Sequence, residues 1–204
     1  MVEVALRITT ETQSTQRLHR EGPVIIRKAI MEERDALHQL IAESARELSR
    51  QHYSDAQIEA AIATVFGVDT TLIEDGTYFV VESDGQLAGC GGWGKRKTLF
   101  GGDQYSSRDT AYIDPETEPA KIRAFFIHPD HARKGIARAI LSRCEDEARA
   151  QGFRALELMA TLPGIEFYKS CGFVERGNFD LVLTDAINLE LVPMRKELLT
   201  QGRG

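Results

Sequence analysis

The sequence predicts an α/β (α+β) fold, a mixed and mostly antiparallel sheet of about six or seven strands flanked by helices. Three observations predict it. The apolar runs Ile122–Ile127 and Ala155–Met159 are separated by a helical pattern from Gly135 to Ala150, the crossover that parallel pairing requires. The runs Thr77–Glu82 and Gln86–Trp93 are joined by Ser83-Asp84-Gly85, a hairpin signal. At the end of the chain, Phe173–Phe179 and Leu189–Arg195 read as a closing strand pair.

The elements follow in order. Residues 1–22 are rich in Thr, Gln, Arg and Glu and hold no sustained period, so a mobile extension is expected there. The domain is expected over residues 23–200 and opens with strand Val24–Arg27. From Glu32 the residues Leu37, Leu40, Ile41, Ala45 and Leu48 recur at helical spacing, with Glu32, Glu33 and Asp35 favoured by the dipole of the first turn. Ser54-Asp55-Ala56-Gln57 is a capping box, after which Ile58, Ala61, Ile62 and Val65 share one helical face. Gly89, Gly91, Gly92 and Gly94 weaken the second hairpin strand unless something must approach its backbone. From Thr98 to about Pro119 runs a polar loop without a period, long enough to be functional or disordered. Ile136, Ile140, Leu141, Cys144 and Ala148 mark an amphipathic helix closed near Gly152, and Gly164–Ser170 reads as a short helix.

Composition narrows the function. Of 204 residues, 42% are hydrophobic and 27% charged, which suits a soluble globular protein. A net charge of −6 argues against general nucleic-acid or anionic-membrane partners. Cys90, Cys144 and Cys171 have no metal-ligand spacing and their odd number does not suit a disulfide framework, so buried reduced thiols are expected and no metal. The chain has no run of eighteen apolar residues and no signal-peptide h-region, and the cytoplasm follows by elimination.

The chemistry is concentrated in Arg123-Ala-Phe-Phe-Ile-His-Pro-Asp-His-Ala-Arg-Lys-Gly-Ile-Ala137, a strand, a basic loop with one glycine and a helix start. A helix N-terminus offers free N–H groups and a positive dipole end, together an anion site. Gly135 removes the side chain where a diphosphate would lie, and Arg133 and Lys134 add charge. The alternative is an ordinary helix start, but basic residues oppose the dipole there and an anionic partner explains them. Further on, Phe167-Tyr168-Lys169-Ser170-Cys171-Gly172-Phe173 is a short tyrosine-bearing helix ending at a glycine; alone it also fits a packing tyrosine and a C-cap.

The order of strand, Arg-Lys-Gly-Ile-Ala loop, helix, strand and Phe-Tyr-x-x-x-Gly-Phe resembles the GNAT superfamily of N-acyltransferases. The resemblance spans Val24 to Leu198 in element order and is sharp from Ile122 to Phe173. The family's Gln/Arg-x-x-Gly-x-Gly/Ala pattern falls on Ala132–Ala137; Gly135 and Ala137 match, while Ala132 replaces the usual Gln or Arg. Thr161 stands where the family often carries Asn. The resemblance implies that Ala132, Arg133, Lys134, Gly135, Ile136, Ala137 and Arg138 hold the diphosphate of acetyl-CoA. It implies that the backbone of Phe126 and Ile127 pairs with pantetheine in the gap between two splayed parallel strands, and that an N–H near Ile127 meets the thioester oxygen. Tyr168 would protonate the departing thiolate, which a phenol of pKa about 10 can do at neutral pH. The implied reaction is direct attack by a primary amine, from a small molecule or a peptide, within a ternary complex.

No carboxylate accompanies Arg123 on its strand, and the base stays open among His52, Tyr53, Asp103, Glu118 and His128, with His128 also readable as a strand-end residue and His131 as exposed. Trp93, Phe125 and Phe126 read as core or wall. The helices Glu32–Arg50 and Ser54–Val65 and the loop Thr98–Pro119 are expected to build the acceptor pocket. A rival reading is a non-catalytic module that binds acyl-CoA or another small ligand. An ATP-binding loop is disfavoured, since neither a Walker Gly-Lys-Ser/Thr nor G-x-G-x-x-G occurs. A homodimer is compatible with such a domain.

Overall fold

In the computed structural model, which describes residues 24–198, the strands are β1 (Ile25–Lys28), β2 (Tyr78–Ser83), β3 (Gln86–Gly94), β4 (Ala120–Ile127), β5 (Ala155–Thr161), β6 (Val174–Glu175), β7 (Phe179–Thr184) and β8 (Ile187–Glu197). They form one sheet in the order β1-β2-β3-β4-β5-β8-β6, with β7 paired to β8. Every pairing is antiparallel except β4 with β5. The helices are α1 (Arg34–Ser49), α2 (Asp55–Thr64), α3 (Thr70–Glu74), α4 (Ile136–Ala150) and α5 (Ile165–Ser170). The extension expected over residues 1–22 lies outside the described residues.

Alternation along the strands divides the apolar residues between two faces. In β2, Phe79 and Val81 face the core under α4, where Ile136, Ile140, Leu141 and Cys144 supply the helical stripe. Tyr78 and Val80 face the other way, onto a second core with Leu37, Leu40, Ile41 and Ala45 of α1 and Ile58 and Ala61 of α2. The capping box of α2 is present: Gln57 N–H donates to Ser54 Oγ at 3.3 Å and Ser54 N–H donates to Gln57 Oε1 at 3.0 Å.

The end of the chain departs from expectation. Phe173–Phe179 is not one strand: Val174–Glu175 pairs with Met194–Arg195 of β8, residues 176–178 belong to no strand, and Phe179 begins β7, which forms a tight hairpin with β8. This raises the strand count to eight. The Thr98–Pro119 loop has no helix or strand but is ordered by bonds to the α2–α3 junction: Gly102 N–H donates to Val65 O, Asp103 N–H to Val68 O and Gln104 Nε2 to Phe66 O.

Two features open the middle of the sheet. The parallel strands β4 and β5 pair only at Ala120↔Leu156 and Lys121↔Glu157, then diverge. Beyond that point β4 bulges: its register against β3 shifts between Cys90 and Gly92, and Ala124 takes φ 53°. Gly91 lies opposite, where a β-carbon would sit 2.6 Å from the Phe125 ring, so only glycine lets that ring lie across β3. The bulged carbonyl of Ala124 accepts the Tyr78 hydroxyl at 3.2 Å.

Candidate active site

The gap between β4 and β5 is a cleft of about 510 Å³ that is bounded from both faces of the sheet. On the α4 side it is lined by Ala132, Arg133, Gly135, Ile136, Ala137, Arg138 and Tyr168, and along β4 by Phe126 and Ile127. These residues are scattered over more than forty positions, and the fold brings them to one site. Lys134 is exposed and is not part of the lining.

The loop before α4 is shaped by its backbone. His128 Nδ1 accepts the Asp130 N–H at 3.3 Å and starts a single 3-10 turn, Pro129–His131. Arg133 (φ 63°) and Gly135 (φ 82°) then take left-handed conformations, and α4 begins at Ile136 with no side chain capping its first N–H groups. Such a run of uncapped amides at a helix start is a concavity for an anion. Nothing lies within 4 Å of where a Gly135 β-carbon would stand, so the space above that backbone is open to a ligand. Arg138 Nη2 donates to Ser170 Oγ at 2.9 Å, tying the start of α4 to the end of α5. The residues present therefore fit a diphosphate cradle.

Tyr168 is 8% exposed and held by three rings: Phe167 at 5.0 Å, Phe173 at 5.6 Å and Phe125 at 6.4 Å between centroids, all edge-on. Among the described residues its hydroxyl has no hydrogen-bond partner, which leaves it available to a ligand. Burial raises its pKa above the ordinary value of 10, so the phenol stays protonated across the neutral range.

The base candidates lie elsewhere. None of His52, Tyr53, Asp103, Glu118 and His128 lines the cleft. The Tyr53 hydroxyl donates to Glu190 O at 2.6 Å and accepts from Leu162 N–H at 2.9 Å, and burial pushes its pKa up to about 12, so it joins α1 and α2 to β8. Asp103 accepts the Thr70 N–H at 3.0 Å and pairs with Arg108 at 2.9 Å, which fastens the loop to α3. His128 is the N-cap described above and sits 3.3 Å from Glu43. His131, expected to be exposed, is half-buried and lines the cleft.

Two functional features escaped sequence reasoning. Ser44 Oγ accepts the Ile127 N–H at 3.2 Å, so α1 reaches the backbone of β4 in the cleft. The signal was a serine three residues after Ile41 and seven after Leu37, a polar residue on an apolar stripe. The other is an ion network beside the cleft lining at Arg123 and Gly101. Arg123 (side chain 2% exposed) pairs with Asp69 (1%), and Asp69 Oδ1 also accepts from Arg108 at 2.6 Å. Arg123 Nη2 donates to Gly101 O at 2.9 Å, and burial draws its pKa down to about 10 against the opposing pull of Asp69. Removing one member of such a buried network costs about 3 kcal/mol or more. Asp69→Asn should therefore lower the melting temperature by about 6–12 °C at this chain length, measured by calorimetry; a shift under about 2 °C would show that the network holds little.

A sequence model of the Acetyltransferase (GNAT) family matches residues 34–173. Among curated proteins, IAA acetyltransferase of Azospirillum brasilense is 27% identical over 158 residues, covering 76% of this chain and 88% of the relative. The solved GCN5-related N-acetyltransferase from Rhodopseudomonas palustris superposes with a TM-score of 0.65 at 17% identity, covering 87% of this chain and 98% of that one. PaiA N-acetyltransferase from Thermoplasma acidophilum, solved in complex with coenzyme A, gives 0.58 at 17% identity over 86% of this chain and 99% of that one. At these identities the two structures share the fold.

Proposed function

The chain belongs to the GNAT acetyltransferase family, and from that premise we propose that it moves the acetyl group of acetyl-CoA onto a primary amine by direct attack. The observation that carries this reading is the single cleft that holds the Gly135 loop and Tyr168 on one side of the sheet and opens on the other. When bound, acetyl-CoA supplies an activated thioester. The amides at Gly135, Ile136 and Ala137, with Arg133 and Arg138, bind the diphosphate. At Phe126 and Ile127, β4 is paired with β3 but has left β5, and this free edge orients the pantetheine arm as a neighbouring strand would, with the Ile127 N–H first giving up its bond to Ser44.

Tyr168 holds a proton at its hydroxyl for the departing sulfur, and its raised pKa keeps that proton in place at neutral pH. The apolar walls beyond β4 disfavour an ammonium and so favour the neutral amine that attacks. No carboxylate occurs among the described cleft-lining residues, so water at the cleft mouth or the lining His131 takes the ammonium proton, and the proton shed by nitrogen as the C–N bond forms balances the one that Tyr168 gives to sulfur. Unpaired Cys90, Cys144 and Cys171 suit a reducing compartment, and we place the protein in the cytoplasm. No described helix is long and apolar enough to cross a membrane.

The test is thiol release from acetyl-CoA with a panel of primary amines, with the acetylated product identified by mass. Amine-dependent release above hydrolysis is expected. Calorimetric binding of coenzyme A without release for any amine would leave the binding-module reading instead.

A further inference from the structure

We propose that the acceptor is an apolar monoamine, an aromatic or branched-chain primary amine with no second positive charge; this rests on the acyl-transfer reading. The cleft leaves the α4 face through the gap between β4 and β5 and ends, on the face covered by α1 and α2, among Phe66, Phe100, Phe126, Met159 and Leu191. The rings there are fixed before any ligand arrives. Phe66 meets Phe126 edge-on at 5.7 Å, and Phe100 packs on Tyr105 at 5.0 Å and on Phe179 at 6.0 Å. A preformed apolar wall binds a ring or a branched chain without having to be ordered first.

The charges point the same way. Apart from Tyr168, the ionisable side chains lining the cleft are Arg123, His131, Arg133 and Arg138, although the whole chain carries −6. Asp69, which pairs with the lining Arg123, and Asp103, next in sequence to the lining Gly102, are both taken up by arginines. The buried Asp69 carboxylate is already paired with Arg123 and Arg108, so it offers no free counter-charge at this end. A diamine, a polyamine or a lysine-rich peptide would bring a second ammonium into this lining, desolvated and without a counter-charge. An aryl or branched alkyl body would gain by burial in the same place.

The protein saturated with coenzyme A is titrated calorimetrically with phenethylamine and with 1,5-diaminopentane. Phenethylamine is expected to bind at least about tenfold more tightly; equal or tighter binding of the diamine overturns the proposal. Leu48→Glu places a carboxylate at an exposed α1 position on the cleft wall. It should narrow the preference by about threefold or more at low salt, and an unchanged ratio in the folded variant overturns the assignment of this end to the acceptor. Thiol release with phenethylamine is measured alongside. Preferential binding without release sinks the acyl-transfer reading while supporting the apolar subsite.

Discussion

Gly135→Glu should raise the dissociation constant for coenzyme A at least about a hundredfold, close to 2.7 kcal/mol. The new carboxylate would stand in the open space above the loop, at the uncapped start of α4. Against one phosphate charge about 4 Å away, at an effective dielectric of 20, repulsion is about 4 kcal/mol, enough for the effect even after screening. The fold should persist, because no protein atom lies where the side chain begins. The left-handed φ of 82° still penalises any β-carbon by about 1 kcal/mol, lowering the melting temperature by about 2–4 °C. Gly135→Ala carries the same backbone penalty without the charge and separates the two effects. Unchanged coenzyme affinity in folded Gly135→Glu would remove the diphosphate from this loop.

Tyr168→Phe should leave coenzyme affinity and stability nearly unchanged and lower turnover by about ten- to a thousandfold, in kcat and kcat/KM together. The ring and its three aromatic neighbours are retained, and the deleted hydroxyl has no protein partner to lose among the described residues. The sign of the pH dependence follows from burial. The pKa is raised, so Tyr168 keeps its proton throughout pH 6–9 and contributes no inflection there. A coenzyme thiolate is a fair leaving group near neutral pH, which sets the lower end of the range. Wild-type turnover from pH 6 to 9 would falsify the proton-donor role and assign the proton to water.

Much of the architecture was legible because local chemistry and the fold agree. Ser54 and Gln57 cap α2, Asp84-Gly85 turns the β2–β3 hairpin, and the stripe Ile136–Ile140–Cys144 demands a helix between two buried strands. The closing strands were less legible: β7 lies partly exposed, with only Leu181 fully turned inward, and its apolar pattern is weak. Helix α3 has five residues, too few to show a period, and is fixed by Asp103 and Arg108 from a distant loop. In the site, the glycine loop and Tyr168 could be placed since the needed geometry is local to each. The base candidates could not, because proximity to a cleft is a tertiary property. Tyr53 illustrates this, its hydroxyl spent between Leu162 and Glu190, both more than a hundred residues away.

The splayed pair at the centre has a consequence for cohesion. Hydrogen bonding across the sheet is continuous from β1 to β4 and from β5 to β8, yet only two residue pairs join these halves. Further coupling runs through the α4 crossover, through α1, which touches β4, and through Tyr53 and α2, which reach β8. Both apolar cores cross this seam, so beyond the two pairs the halves are held together by side chains and not by backbone hydrogen bonds. A ligand lying in the gap and pairing with β4 acts as a missing strand and closes that seam. Occupancy would then add backbone bonds where the sheet now holds by side-chain packing, so a bound coenzyme is expected to raise the melting temperature.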